Sequence, residues 1–323
     1  MTYTLVNVKI IDQKSSWNKK RVDVVISDGR ISDIGKGLKP KGTVIKGKNL
    51  HLSPGWIDMK VHFCDPGHEY KEDLRSGLSA AKVGGFTSVV TMPDTTPAVD
   101  NKSAVEYLLT KSKDSGVKVY PAACISKGNK GKELSEMIDL DRAGVKMFSD
   151  DKKAIESSSL MNRALLYAKD TGRVVSTFPQ DPYLGEHGSM NEGKVSTSLG
   201  LTGIPHIAET IQLRRDIDLL RYTGSKLHVS GVSTSESVKL IKAAKKEGLE
   251  ISAEVHLANL IWTDDQLRGY DTKFKLSPPL RSEKDRKALV KGVNDGTIDC
   301  ISSDHRPEDV EHKKLEFGRA HYG

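Results

Sequence analysis

Imidazoles and carboxylates placed just after short apolar runs are the residues of this sequence best suited to chemistry. Val61-His62, Ser149-Asp150-Asp151, His228 with Thr234, Val255-His256 and Ser303-Asp304-His305 all have this character. Such groups supply metal ligands and proton carriers. Lys60, two residues before His62, is of another kind: an ammonium cannot be a ligand while it holds its proton. Cys64 is a possible nucleophile, but spacing assigns it no base, so a small polar role fits it better.

These residues need elements to hold them. Residues 2 to 10, 21 to 27 and 30 to 34 carry β-branched residues between turn signals such as Ser27-Asp28-Gly29, which predicts a small antiparallel β unit over 1–53. From 54 onward, short apolar strands are predicted at 55 to 62, 86 to 92, 117 to 124, 143 to 148, 173 to 178, 226 to 231, 250 to 255 and 297 to 303. Stretches 101 to 115, 158 to 170, 205 to 223, 234 to 247 and 282 to 294 have helical periodicity. Eight strands alternating with helices imply an α/β fold, a (β/α)8 TIM-like barrel over 54–323, with its site at the carboxyl ends of the strands.

Composition sets outer limits. A chain of 323 residues can bury a large core. No apolar run approaches a membrane span and no leading signal is visible, so a cytoplasmic protein is expected and a membrane is not. Three widely spaced cysteines, Cys64, Cys124 and Cys300, fit a reducing compartment. The 50 basic and 43 acidic residues give +7, but the lysines are scattered rather than interleaved with aromatics, which argues against a nucleic-acid partner.

Several stretches, in order along nearly the whole chain, carry a resemblance. They are Asp65-Pro66-Gly67-His68-Glu69-Tyr70-Lys71-Glu72-Asp73, Gly84-Gly85-Phe86-Thr87, Asn191-Glu192-Gly193, Gly203-Ile204-Pro205, Ser277-Pro278-Pro279-Leu280-Arg281, and Gly296-Thr297-Ile298-Asp299 through Asp304-His305. Together they resemble the dihydroorotase branch of the cyclic amidohydrolases. The resemblance implies a metal-dependent hydrolase barrel with a composite β-sandwich, whose C-terminal part is missing here because the sequence stops soon after the eighth strand. Apolar faces near both termini would then be exposed or paired with another subunit.

The same resemblance implies two zinc ions, held by a His-x-His pair after strand one, a carboxylate after strand four, a His after each of strands five and six, and an Asp after strand eight. Lys60, Phe178 and Gly231 stand where three of those imidazoles belong. His62, Asp151 and Asp304 remain as residual ligand positions, with Asp304 also at the general-base position. Three ligands could hold one ion, but Lys60 beside them would repel it. The favoured arrangement has no bound metal: the Lys60 ammonium occupies that space and pairs with Asp151 and Asp304, supplying the countercharge two buried carboxylates need.

The positions implied to hold the substrate carboxylate are altered as well. Cys64, Asp94 and Glu308 stand in place of an Arg, an Asn and a His, and Ser277 is a further altered position. Two acids and a thiol should repel a dianion, with Arg306 compensating in part. Plainer roles stand beside these. His62 could be a satisfied core histidine, and His228 and Thr234 could serve only as hydrogen-bonding groups within the barrel. His256 could be a substitute ligand, although a structural role suits it better. Gly84-Gly85 and Asp65-Pro66-Gly67 read as backbone devices.

Two functions stay open. One is a catalytically impaired dihydroorotase-like protein of pyrimidine biosynthesis, acting as a structural or regulatory partner, for example of aspartate transcarbamoylase, and self-associating as the family's members do. The other is an active cyclic amidohydrolase that uses one metal ion or none on dihydroorotate or another cyclic amide.

Overall fold

The computed structural model describes residues 1–323 as two compact units, Met1–Trp56 and Ile57–Gly323. In the first, strands β1 (Thr2–Ile10), β2 (Arg21–Ser27) and β3 (Arg30–Gly35) form the expected antiparallel set. Asp28 and Gly29, at φ 50° and 75°, make the left-handed two-residue turn that suits a β2–β3 hairpin. The unit is not purely antiparallel, however. Strands β4 (Thr43–Ile45) and β5 (His51–Leu52) both run parallel to β1. At three and two residues within a Lys- and Gly-rich stretch, they are too short to show alternation. Val8, Ile10, Val22 and Val24 form the unit's own core, with Trp17 and Leu50 packed against it.

The second unit begins its sheet with β6 (Trp56–Val61), β7 (Phe86–Thr91), β8 (Lys118–Ala123), β9 (Met147–Ser149) and β10 (Val174–Thr177). A short parallel pair, β11 (Met190–Asn191) and β12 (Gly203–Ile204), lies outside that sheet. Strands β13 (Leu227–Val229), β14 (Ile251–His256) and β15 (Cys300–Ser302) complete it in the order β6-β7-β8-β9-β10-β13-β14-β15. A parallel bridge between Val61 and His305, with His62 N–H donating to His305 O at 2.8 Å, joins the first strand to the segment after the last. The barrel is therefore nearly closed, and all eight predicted strands are present.

Period-two alternation sends one face of these strands outward. Val89, Val119, Phe148, Val175, Val229 and Val255 share a core with helix residues Leu78, Leu108, Leu140, Leu165, Leu213 and Ile241. The helices Lys102–Ser112, Ser158–Thr171, Ser235–Lys246 and Glu283–Asn294 start at Asn101, Ser157, Thr234 and Ser282, whose side chains accept from the first-turn N–H groups. A fifth, His206–Thr223, also lies where expected. Helices Leu74–Val83 and Met137–Arg142 were not anticipated, nor were the short Pro182–Gly185, Lys194–Leu199, Leu257–Ile261 and Val310–Lys313. The second is only six residues long, and Gly77 weakens the helical signal of the first.

Gly77 has a packing reason: a Cβ there would lie 2.1 Å from Phe63 Cδ1. Gly67, at φ 99°, likewise allows a close approach, because a Cβ would meet Thr96 O at 2.1 Å. Gly77→Ala is expected to destabilise the barrel by about 1–3 kcal/mol through overpacking, despite an intrinsic helical gain of about 1 kcal/mol. The midpoint of urea unfolding checks this, and an unchanged or raised midpoint would contradict it.

Candidate functional site: a cation-filled barrel mouth

Lys60 comes from β6 and is 1% exposed, the largest fully buried side chain of the protein. An ammonium so placed requires a carboxylate partner. Its Nζ donates to Asp151 Oδ1 at 2.7 Å and to Ser230 Oγ at 3.1 Å. Ser230 passes its own proton to Glu254 Oε1 at 2.6 Å. Glu254 Oε2 lies 3.7 Å from His228 Nε2, and His228 Nδ1 is 2.9 Å from Ser252 Oγ. His228 thus belongs to a buried polar layer within the barrel, and Thr234 caps a helix.

The other oxygen of Asp151 is also taken. Arg306 Nη1 donates to Asp151 Oδ2 at 3.0 Å, while its Nη2 donates to Asp94 Oδ2 at 2.9 Å. His62 Nδ1 lies 2.9 Å from Asp94 Oδ1, and both ring nitrogens are 3.2 Å from Arg306 Nη1. Across the site, Lys152 Nζ donates to Asp304 Oδ2 at 2.7 Å and to Ser277 O at 2.6 Å. His256 Nδ1 is 3.1 Å from the same Asp304 oxygen. Three cations, Lys60, Lys152 and Arg306, thus face three acids, Asp94, Asp151 and Asp304.

Several expectations need correction. Lys60 reaches Asp151 only; Asp304 is held by Lys152 and His256, because Lys152 sits one residue beyond Asp151 and points across the mouth. Asp94 and Glu308 are not free acids that would repel an anion. Asp94 is neutralised by Arg306 beside His62, and Glu308 by Lys71 at 2.9 Å, with His312 at 3.0 Å. Burial pushes the Cys64 thiol up to about 11, with Asp94 adding to it, so this sulfur keeps its proton and is a poor nucleophile.

Phe178 is buried and apolar. Gly231, at φ 69°, leaves room for His256: a Cβ would stand 3.1 Å from His256 Cε1 and 3.1 Å from Pro278 Cδ. Asp150, next to Asp151, is turned away and accepts from the N–H groups of Ile125 and Ser126 at 2.8 and 3.0 Å, and from the Ser126 hydroxyl.

Sequence reasoning missed Lys152 and gave Arg306 too small a part. The signal was present in Asp150-Asp151-Lys152-Lys153 and Asp304-His305-Arg306, where a lysine or arginine lies one or two residues after Asp151 and Asp304. Cys64, Asp151 and Asp304 also share left-handed backbone angles, φ 60°, 54° and 52°. Non-glycine residues in that region concentrate where side chains must be aimed at a site.

The electrostatics are mutually consistent. Burial opposes the charge on Asp151, but His62, Lys60, Arg306 and Lys152 together hold its carboxyl well below the usual range. Burial likewise opposes Asp304, and His256 and Lys152 bring it down further. Asp94 is lowered against burial by His62 first, with Arg306 adding to the effect. Lys60 is raised by Asp151, Asp304 and Glu254 in spite of burial. Lys152 is lowered, first by burial and then by Arg306 and Lys60.

The donor atoms of His62, Asp94 and Asp151 lie within 4.8 Å of one another, as a metal site requires, but side-chain cations engage them. Both Asp151 oxygens and Asp304 Oδ2 already accept from fixed cations. Asp304 Oδ1 is buried without a hydrogen-bond partner, and His62 Nε2 is 3.9 Å from it, but one such oxygen is no coordination shell. Each unit-charge repulsion at about 4 Å costs about 4 kcal/mol at an effective dielectric of about 20, and a dication would meet three such cations.

Together these elements make a (β/α)8 barrel with polar residues gathered at the carboxyl ends of its strands. Solved structures share it. A D-hydantoinase superposes with TM-score 0.82 at 24% identity, covering 100% of this chain and 74% of that one. A dihydropyrimidinase from Brevibacillus agri gives 0.77 at 21%, covering 100% and 73%. At those identities the likeness concerns the fold.

The family is set by sequence. The family described as Dihydro-orotase-like matches residues 49–237. A dihydroorotase of Geobacter metallireducens is 46% identical over 302 residues, 93% of this chain and 71% of that protein. One of Acetivibrio thermocellus is 43% identical over 316 residues, 97% and 74%. The chain belongs to the dihydroorotase-like family. No helix in it is long and apolar enough to cross a membrane.

Two outcomes follow for stability. Lys60→Met should cost about 3–5 kcal/mol in urea unfolding at neutral pH, because Asp151 loses a buried partner, and adding Asp151→Asn should recover part of it. A cost near zero for the single change would contradict the pairing. Asp94, Asp151 and Asp304 are all lowered in the folded state, so the unfolded chain takes up protons first as pH falls. Their stabilisation should be present above about pH 4 and lost progressively below it. Unfolding free energies measured across that range check the sign.

Proposed function

We propose that this chain is a dihydroorotase-like protein of pyrimidine biosynthesis in which side-chain cations replace the catalytic metals. It then acts as a structural or regulatory partner rather than as a zinc hydrolase. Dihydroorotate hydrolysis needs a Lewis acid on the amide carbonyl, an activated hydroxide and a carboxylate proton shuttle. One observation carries the reading: Lys60 and Arg306 each hold one oxygen of Asp151, so a bridging ion would have to compete with a fixed cation at both.

The proton shuttle is impaired for a related reason. Asp304 is ionised, but Lys152 and His256 share one of its oxygens and stabilise its charge, which weakens it as a base. The partner that best suits a silent family member is the preceding enzyme of the route, aspartate transcarbamoylase, met in the cytoplasm by a self-associated form of this chain. The support for this is the family membership and the closed charge balance at the mouth.

Purified chain supplied with zinc or cobalt should show no dihydroorotate hydrolysis above the protein-free rate, and it should co-elute with the transcarbamoylase of its own source in gel filtration. Hydrolysis at an ordinary enzymatic rate of about 1–1,000 per second would overturn the proposal in favour of an active amidohydrolase.

A further inference from the structure

Charge is unevenly divided along this chain. Of its 50 basic and 43 acidic residues, 11 and 4 lie in residues 1–56, which leaves 39 of each for the barrel and places the whole +7 on the β unit. The unit's own acids do little to offset this. Asp28 is taken by the terminal amino group, Asp23 accepts from the N–H groups of Asn7 and Leu38, and Asp12 accepts from that of Lys14. No Lys or Arg side chain of the unit forms an ion pair with a carboxylate, whereas such pairs run through the barrel surface.

Part of the excess is gathered on one face. Period-two alternation turns Lys9 away from the core residues Val8 and Ile10, and Arg21 away from Val22. Lys9 stands opposite Arg21 in the β1–β2 register and opposite His51 in the β1–β5 register, so the three side chains share that face. Like charges set directly opposite each other destabilise a sheet. Arg21 also lines an open hollow of about 650 Å³ with Lys46, Lys48, Asn7 and Asn49. There it donates to Asn7 O at 3.1 Å and to Asn49 Oδ1 at 3.4 Å, which orients the guanidinium without neutralising it.

We propose that this face of the β unit docks a partner protein through an acidic surface, whose carboxylates supply the counter-charge that the unit lacks. A nucleic acid fits less well. The hollow has no aromatic lining on which a base could stack. Guanidinium forks match phosphate best, and Arg21 already commits both terminal nitrogens to oxygens of its own unit, which leaves lysine point charges as the main contacts. A bilayer surface calls for an amphipathic helix, and the unit contains no helix. The face lies wholly within the β unit and acts independently of what the barrel catalyses.

In an anisotropy titration at neutral pH and low salt, the full chain should bind fluorescein-labelled oligoglutamate, and the affinity should fall steeply as salt is raised, because screening shortens the reach of exposed charges. Lys46→Glu combined with Lys48→Glu should weaken binding by about tenfold or more, as exposed attractions become repulsions. Lys113→Glu combined with Lys246→Glu makes the same change in net charge at exposed positions of the barrel and should leave binding nearly unchanged. No binding, binding indifferent to salt, an equal loss with both double variants, or tighter binding of duplex DNA or of phosphatidylserine vesicles at equal negative charge would each overturn the proposal.

Discussion

Asp151 and Asp304 are brought to the carboxyl ends of β9 and β15 and withdrawn from water, and the rest of the site follows from that. Carboxylates in such a place must meet positive charge or lose their ionisation. Here the positive charge is organic. Lys60 and Arg306 hold the two oxygens of Asp151, Lys152 holds Asp304, and Arg306 extends to Asp94. The match of three cations to three acids explains how so many charges are buried together. It also explains why the acids expected to repel a substrate are already neutralised.

Fixed cations and a metal ion solve the same electrostatic problem with different chemical consequences. A zinc ion leaves an open position where water can lose a proton. An ammonium and a guanidinium supply hydrogen-bond donors but no coordination position at which water could lose a proton. The neighbouring substitutions agree with this. Gly231 makes room for the His256 ring, which turns to Asp304, and Lys60 links through Ser230 to Glu254 and a buried polar layer of the barrel. In the proposed reading, the scaffold and its charge balance persist while the hydrolytic centre does not.

Much of the fold was legible from local signals. The eight barrel strands follow from short apolar runs, and four of the five predicted helices start at Asn, Ser or Thr caps that appear in the sequence as they do in the structure. The helix through Gly77 was hidden because the residue that lowers helical propensity is required by Phe63, a contact between separate elements. At the site, Lys60 opposite Asp151 was expected from the family resemblance, which sets both at metal-ligand positions. The assignment of Asp304 to Lys152 and His256 was not, since it depends on which long side chain crosses the mouth. The stacked pair His312 and His321 was equally hidden, because eight residues of mostly irregular chain separate them.

The most direct test of the central claim is a zinc-edge anomalous difference map from crystals of this chain grown with excess zinc at neutral pH. The account predicts no peak among His62, Asp151 and Asp304, with the Lys60 amine still in hydrogen-bonding contact with Asp151. A peak coordinated by those residues, with the Lys60 side chain displaced, would contradict it.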